Sequence, residues 1–208
     1  MSNRPRFFVA ATLATLLLVL PLSAQARGTA ASRQGQTGGL TNPNDLNPAP
    51  HTLPPRSAAP DFSLATVAGQ HYRLSSLRGR PVLLEFIAVW CPHCQRESVV
   101  INRIHARYGP GSGRGLAMLS ILANPYGRDR ETTGSIRLAD RRDVVWFQRT
   151  FHTQEPILID PTFATVNRYG AGSYPTIYIL DGKGVVRYAS QGDVSYGTLA
   201  AAAVKAGA

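Results

Sequence analysis

Cysteine is scarce in this sequence and lysine is nearly missing. Two cysteines among 208 residues exclude a disulfide-stapled mini-fold and a four-cysteine zinc module. Lysine stands only at positions 183 and 205, so the 22 basic side chains are otherwise all arginine, and against 12 acidic ones they leave a formal charge of +10. The excess is spread along the chain, with no block that would mark a nucleic-acid site, and nucleic acid is set aside as a partner. Charged residues make up only 16%, whereas the hydrophobic content of 44% is that of a packed globular protein. Long apolar runs are also lacking. The run Phe7–Leu22 stops at 16 residues, short of the ~20 a helix needs to cross the hydrocarbon core.

That run follows Arg4 and Arg6 and leads into Ala24-Gln25-Ala26, small side chains where a signal peptidase requires them. Residues 1–26 therefore read as a cleaved signal peptide. An uncleaved N-terminal membrane anchor is the alternative, and either one exports the chain to the periplasm or another extracytoplasmic space. No cysteine ends the run, which argues against a lipoprotein. Residues 27–56 are rich in Gly, Pro, Asn, Gln, Thr and Ser and read as a flexible tether, too poor in apolar surface to offset the entropy of ordering. From residue 57 to 208 the composition is globular and long enough to bury a core without a staple.

Within that domain, Phe62–Leu64 and Tyr72–Leu74 flank Ala68-Gly69-Gln70 as a hairpin. Val82–Ala88 is a near-continuous apolar run, the pattern of a central strand covered on both faces. Ile101, Ile104, His105 and Tyr108 then recur at helical spacing, with His105 expected in the core, and Gly109-Pro110-Gly111 ends the helix. Leu116–Leu122 reads as a second buried strand, 124–135 as a loop, 137–150 as a helix, 156–159 as a strand and 162–169 as a short helix. Thr176–Leu180 and Val185–Ser190 flank Asp181-Gly182-Lys183-Gly184 as a second hairpin, and Ser195 caps a final helix. The order predicts an α/β fold, a central mixed sheet with helices on both faces and an N-terminal hairpin extension.

The chemistry lies where the first buried strand gives way to a helix, at Cys91-Pro92-His93-Cys94. A helix N-terminus presents unpaired N–H groups and the positive end of the helix dipole, which stabilises a thiolate at Cys91. Pro92 suits the first helical position, and His93 can stabilise the thiolate further. Cys94, one turn on, is expected to be less exposed. Cys91 is then the attacking sulfur and Cys94 the resolving one. Half a zinc site would need a second ligand pair that the sequence lacks, and a c-type haem would need His where Gln95 stands. A structural disulfide across so short a loop would restrain the unfolded chain little.

With Ala59-Pro60-Asp61-Phe62, Leu74–Gly79, Trp90–Cys94, Ile157–Pro161, Tyr174-Pro175-Thr176 and Leu180–Gly184 in that order, the domain resembles the TlpA/ResA-like branch of the thioredoxin-fold redoxins. The resemblance implies an exported thiol–disulfide oxidoreductase without metal or organic cofactor, acting on protein thiols or disulfides and regenerated by a membrane redox protein. It implies a cis bond before Pro175, packed beside the cysteines, with Tyr174 pairing its backbone with a bound substrate. It places Glu85, six residues before Cys91, as a buried acid beneath the pair; burial would raise its pKa and let it exchange a proton with Cys94. The alternative for Glu85 is a side chain turned to water. Trp90, Pro92 and His93 fall on the substrate side, whereas Glu97 reads as a helix-surface charge.

The resemblance favours a reductase. Pro92-His93 is instead the dipeptide of DsbA-type oxidases, and a disulfide donor is the second reading. A peroxiredoxin would need Thr where Ala88 stands. An exported binding module without redox turnover would not need the intact set Cys91, Cys94, Glu85 and Pro175.

Overall fold

The computed structural model describes residues 51–113 and 115–208. The expected signal segment 1–26 and most of the tether lie outside the described residues. Among the described residues no helix is long and apolar enough to cross a membrane.

Seven strands among the described residues form one mixed sheet in the order β2-β1-β5-β4-β3-β6-β7. They are β1 (Ser63–Thr66), β2 (His71–Arg73), β3 (Val82–Ile87), β4 (Ala117–Leu122), β5 (Ile157–Ile159), β6 (Thr176–Leu180) and β7 (Val186–Gln191). β3, β4 and β5 run parallel at the centre, β6 and β7 add antiparallel on one side, and the hairpin β1–β2 closes the other by pairing β1 with β5. This is the thioredoxin fold with an N-terminal hairpin. Both central strands β3 and β4 are buried at every residue, which is why their sequences are apolar runs and not alternating ones.

Side-chain alternation divides the core. Leu83, Met118, Ile177 and Ile179 face α1 (Pro92–Tyr108) and α5 (Tyr196–Ala206), meeting Ile101, Ile104, Leu199 and Ala203. Leu84, Phe86, Leu119 and Ile121 face the opposite layer, with Val166 of α4 (Ala164–Arg168), Tyr169 and Tyr178. There Phe86, Tyr169 and Tyr178 pack with ring centroids 5.2–6.0 Å apart. The Tyr178 hydroxyl donates to the Tyr169 carbonyl and accepts from the Leu53 amide. Arg56 N–H donates to Val186 O at 2.8 Å. The last residues of the segment read as a tether are thus held to the domain ahead of position 57.

Two boundaries move for local reasons. The segment 124–135 contains one helical turn, α2 (Arg130–Thr133), closed by Gly134 in the left-handed region (φ 69°). Helix α3 (Arg141–Phe151) starts four residues later than its apolar spacing suggests, because Asp140 caps it in a reciprocal box with Asp143. Arg137 does not continue the helix and instead grips the Asp143 carboxylate at 2.8 and 3.0 Å.

The motif Ile157–Pro161 has a physical reading too. Asp160 is buried, and one of its carboxylate oxygens accepts from Thr165 N–H and Val166 N–H at 2.7 and 3.0 Å, fixing the start of α4. Replacing it by alanine strands both amides. Asp160→Ala is expected to cost about 2–3 kcal/mol and Asp160→Asn, which keeps an acceptor oxygen, less than half as much, read from urea unfolding midpoints.

Candidate active site

β3 delivers the chain to the start of α1 with Cys91 at the N-cap (φ −75°, ψ 121°) and Pro92 at the first helical position. Both cysteines are free thiols. Cys91 is 6% exposed and Cys94, one turn into the helix, is fully buried, so a reaction partner reaches one sulfur and not the other. The Cys91 thiol is lowered to about 6, chiefly by the hydrogen bond that Cys94 donates; burial opposes this, and the backbone N–H groups of Cys94 and His93 reinforce it. Cys94 is pushed well above the ordinary thiol range by burial, by donating to Cys91, and by the negative charges of Cys91 and Glu85. The two thiols are polarised in opposite senses by one contact.

His93 contributes mainly through its backbone. Its imidazole turns away to Asp193, with Nδ1 at 3.1 Å from both carboxylate oxygens, and Arg96 joins the cluster at 2.7 Å from Nδ1 and 3.2 Å from the carboxylate. The sequence reading had this side chain stabilising the thiolate. Asp193, from the segment linking β7 to α5, competes for it.

The Tyr174–Pro175 peptide bond is cis, and Cys91 Sγ lies 3.7 Å from the Tyr174 carbonyl oxygen, within reach of the thiol. Trp90, half-buried, packs edge-on against Tyr174 at 6.3 Å and donates from its indole N–H to Asn124 at 2.9 Å. The Tyr174 hydroxyl donates to Ala123 O at 3.1 Å. Trp90, Tyr174 and Asn124 thus form one braced wall beside Cys91. Asn124, in a segment read only as loop, was not singled out.

Beneath the cysteines the sheet is acidic. Glu85 is 3% exposed and points to the α1 face, the buried alternative of the two readings. Burial raises it well above the usual carboxylate range, and Glu155 and Glu97 add repulsion. Ser120, its register partner on β4, places its hydroxyl 3.1 Å from Glu85 Oε2 and 3.1 Å from Glu155 Oε1. Glu155 is also buried, just before β5, and burial raises its pKa. Glu97 is not a surface charge. It is 2% exposed because the segment before α5 folds over it, and it accepts from Val194 N–H at 3.0 Å; burial lifts it to about 7. His105 is half-buried on α1 and its charge bears on Glu155, so the fully buried position expected for it does not hold.

Ser120 was legible as the one polar residue inside the apolar run 116–122. Glu155 lies before its strand, and nothing nearby in sequence marks it. Among the described residues no group of three His, Cys, Asp or Glu is placed to hold a metal.

Residues 55–189 match the AhpC/TSA family. The chain is 32% identical over 141 residues to the thioredoxin-like protein YneN of Bacillus subtilis, covering 68% of this chain and 71% of that one. It is 31% identical over 131 residues to the thiol-disulfide oxidoreductase ResA of Geobacillus thermodenitrificans, covering 63% of this chain and 66% of the relative. Among solved structures, a thioredoxin-family thiol:disulfide interchange protein from Chlorobium tepidum superposes with a TM-score of 0.58 at 22% identity, covering 76% of this chain and all of the other.

Alkylation of the reduced chain by iodoacetamide should follow the Cys91 thiolate, rising with pH through a half-point near 6. Cys94→Ala removes the donor and should move that half-point up toward the ordinary ~8.5 of a free thiol. Glu97 gives a stability signature of opposite sense. Its folded pKa is raised from 4.5 to about 7, so its ionisation opposes folding progressively between those values and by a constant amount above. Glu97→Gln should match the parent chain near pH 4 and exceed it in stability at pH 8, measured by thermal melting.

Proposed function

The chain belongs to the AhpC/TSA family, and from that premise we propose that it is an exported thiol–disulfide oxidoreductase that reduces disulfides in protein substrates. The observation that carries the reading is the opposed polarisation of the two thiols, a Cys91 lowered to about 6 that keeps 6% exposure over a fully buried Cys94 raised well above its ordinary value. The Cys91 thiolate attacks one sulfur of a substrate disulfide, forming a mixed disulfide and releasing the other substrate sulfur as a thiolate. Glu85 takes the Cys94 proton. The Cys94 thiolate then attacks Cys91 Sγ, releases the second substrate sulfur and closes the Cys91–Cys94 disulfide. Two electrons have passed to the substrate, and a membrane redox partner returns them.

Tyr174 and cis-Pro175 are the backbone against which a substrate strand aligns, and Trp90 and Pro92 border it. Ala88, three residues before Cys91, offers no hydroxyl to hold a peroxide, so the activity assigned is disulfide exchange. Export rests on residues 1–26, read from sequence.

Direction of flow follows from how strongly the thiolate is held. A value of about 6 sits nearer the ~7 of thioredoxin than the ~3.5 of DsbA. The DsbA-type dipeptide keeps only part of its lever, because Asp193 shares the His93 imidazole, whose charge is the last of the causes lowering Cys91. Both observations support the reductase.

The reduction potential of the Cys91–Cys94 pair, equilibrated against dithiothreitol, is expected at ~−230 to −270 mV, the thioredoxin end of the range. A value near ~−120 mV would make the protein a disulfide donor. Insulin-disulfide reduction should proceed with the parent chain and stop with Cys91→Ser; turnover independent of Cys91, or none at all, would favour a binding module.

A further inference from the structure

The contact between Glu85, Ser120 and Glu155 has a proton count built into it. The Ser120 oxygen stands 3.1 Å from one oxygen of each carboxylate, but a hydroxyl has a single proton to donate. It can donate to one carboxylate only, so the other contact is a hydrogen bond only if that carboxyl is protonated and donates to Ser120. With both contacts as hydrogen bonds, the trio holds at least one resident carboxyl proton. In the mirrored arrangement the hydroxyl has turned and the proton has changed ends. Passing it is a concerted step in which one carboxyl gives its proton to Oγ while Oγ gives its own to the other, and every atom keeps its valence.

Position makes the two ends unequal. Glu85 and Ser120 are register partners on the α1 face of β3 and β4, below Cys94. Glu155 lies at the other end of the row from Glu85 and lines a cleft of about 230 Å³ with Thr66, Gln70, Tyr72, Gln148 and Gln154, a lining that includes neither cysteine. Glu85 Oε1 and Glu155 Oε2 are both buried without a hydrogen-bond partner, one free acceptor at each end. The other titratable groups around the trio, Cys94, Glu97 and His105, all come from α1, while β6 presents apolar Ile177.

We propose that Ser120 and Glu155 are positioning residues that relay protons between Glu85 and the cleft between α3 and the β1–β2 hairpin. With the resident proton on Glu155, Glu85 is ionised and ready to accept from Cys94. When it has done so, a local opening at the cleft lets Glu155 pass its proton to water; the Glu85 carboxyl then turns to bring its new proton to Ser120 Oγ, which hands its own to Glu155. Run backward, the relay returns a proton to Cys94 as the disulfide is reduced. The proton path thus leaves by a different surface from the one that binds substrate, and a bound substrate chain does not block it. The relay rests on Glu85 serving as the base in the proposed exchange.

The test is stopped-flow reaction of the reduced full chain with an aromatic disulfide that releases a coloured thiolate. The first release reports Cys91 attack and the second reports Cys94 resolving the mixed disulfide. Ser120→Ala and Glu155→Gln should each slow the second release about tenfold, part of what general-base catalysis supplies, with the first within about twofold. Ser120→Thr, which keeps the hydroxyl, should restore the second release. The pH midpoint of the second release should rise in Ser120→Ala, where Glu85 loses a donor to its charged form, and stay at the parent value in Glu155→Gln, whose amide stands in for the protonated carboxyl. A merely structural role would not slow both variants while shifting the midpoint of one. Melting curves confirm that each variant is folded. Should Glu85→Gln slow the second release while Ser120→Ala and Glu155→Gln run at the parent rate and midpoint, the relay is wrong and Glu85 alone suffices. Should Glu85→Gln also leave it unchanged, the base assignment falls with it.

Discussion

The interaction between the Cys91 and Cys94 thiols organises this molecule's chemistry, because it makes two like side chains unlike. One sulfur becomes a nucleophile near neutrality and the other a reluctant acid, and each owes its state to the other. That contact exists only if the first turn of α1 is rigid. The turn is rigid because Pro92 starts it, because Cys91 N–H is held by Ala88 O and Gln95 N–H by Cys91 O, and because Ile101 and Ile104 seat the helix on the sheet. The fold's contribution is to aim one helix end and to bury what lies behind it.

What lies behind it is unusual for a core. Glu85, Glu97 and Glu155 are each nearly inaccessible, and burial alone disfavours their charges. None forms an ion pair among the described residues, although His105 bears on Glu155; their hydrogen-bond partners include a hydroxyl and a backbone amide. Such an arrangement favours protonated carboxyls over charged ones, and in the proposed exchange these serve a thiol that must lose a proton and regain it in every cycle. An apolar core would be more stable, but it would leave the Cys94 proton nowhere to go.

The fold and the cysteine pair were legible in the sequence because their signals are local and physical. Val82–Ile87 is apolar at every position but Glu85, Pro92 breaks into a helix, and Ser195 caps the last one as read, accepting from Thr198 N–H. Glu85 was visible as a charge in an apolar strand. Glu97 and Glu155 were not, since their burial is decided by segments remote in the chain. Val194, 97 residues on, covers Glu97, and Ser120, 35 residues back, connects Glu155 to the site. The second partner of the His93 imidazole, Asp193, was hidden for the same reason, lying 100 residues away. Spacing reports what a residue's own element does, and it is silent on what another element brings to it.

Those long separations have a consequence in time. α1 takes its seat from Ile177 and Ile179 of β6 and from Leu199 and Ala203 of α5, and an isolated helix of its length is marginal in water. Until the last third of the chain has joined the sheet, Cys91 is an ordinary thiol, about 3% ionised at pH 7 for a pKa near 8.5. Completion of the fold raises that to about 90% for a value of about 6. Reactivity is therefore a property the newly made chain acquires last. An unfinished copy, with both cysteines exposed, is chemically quieter than the finished enzyme.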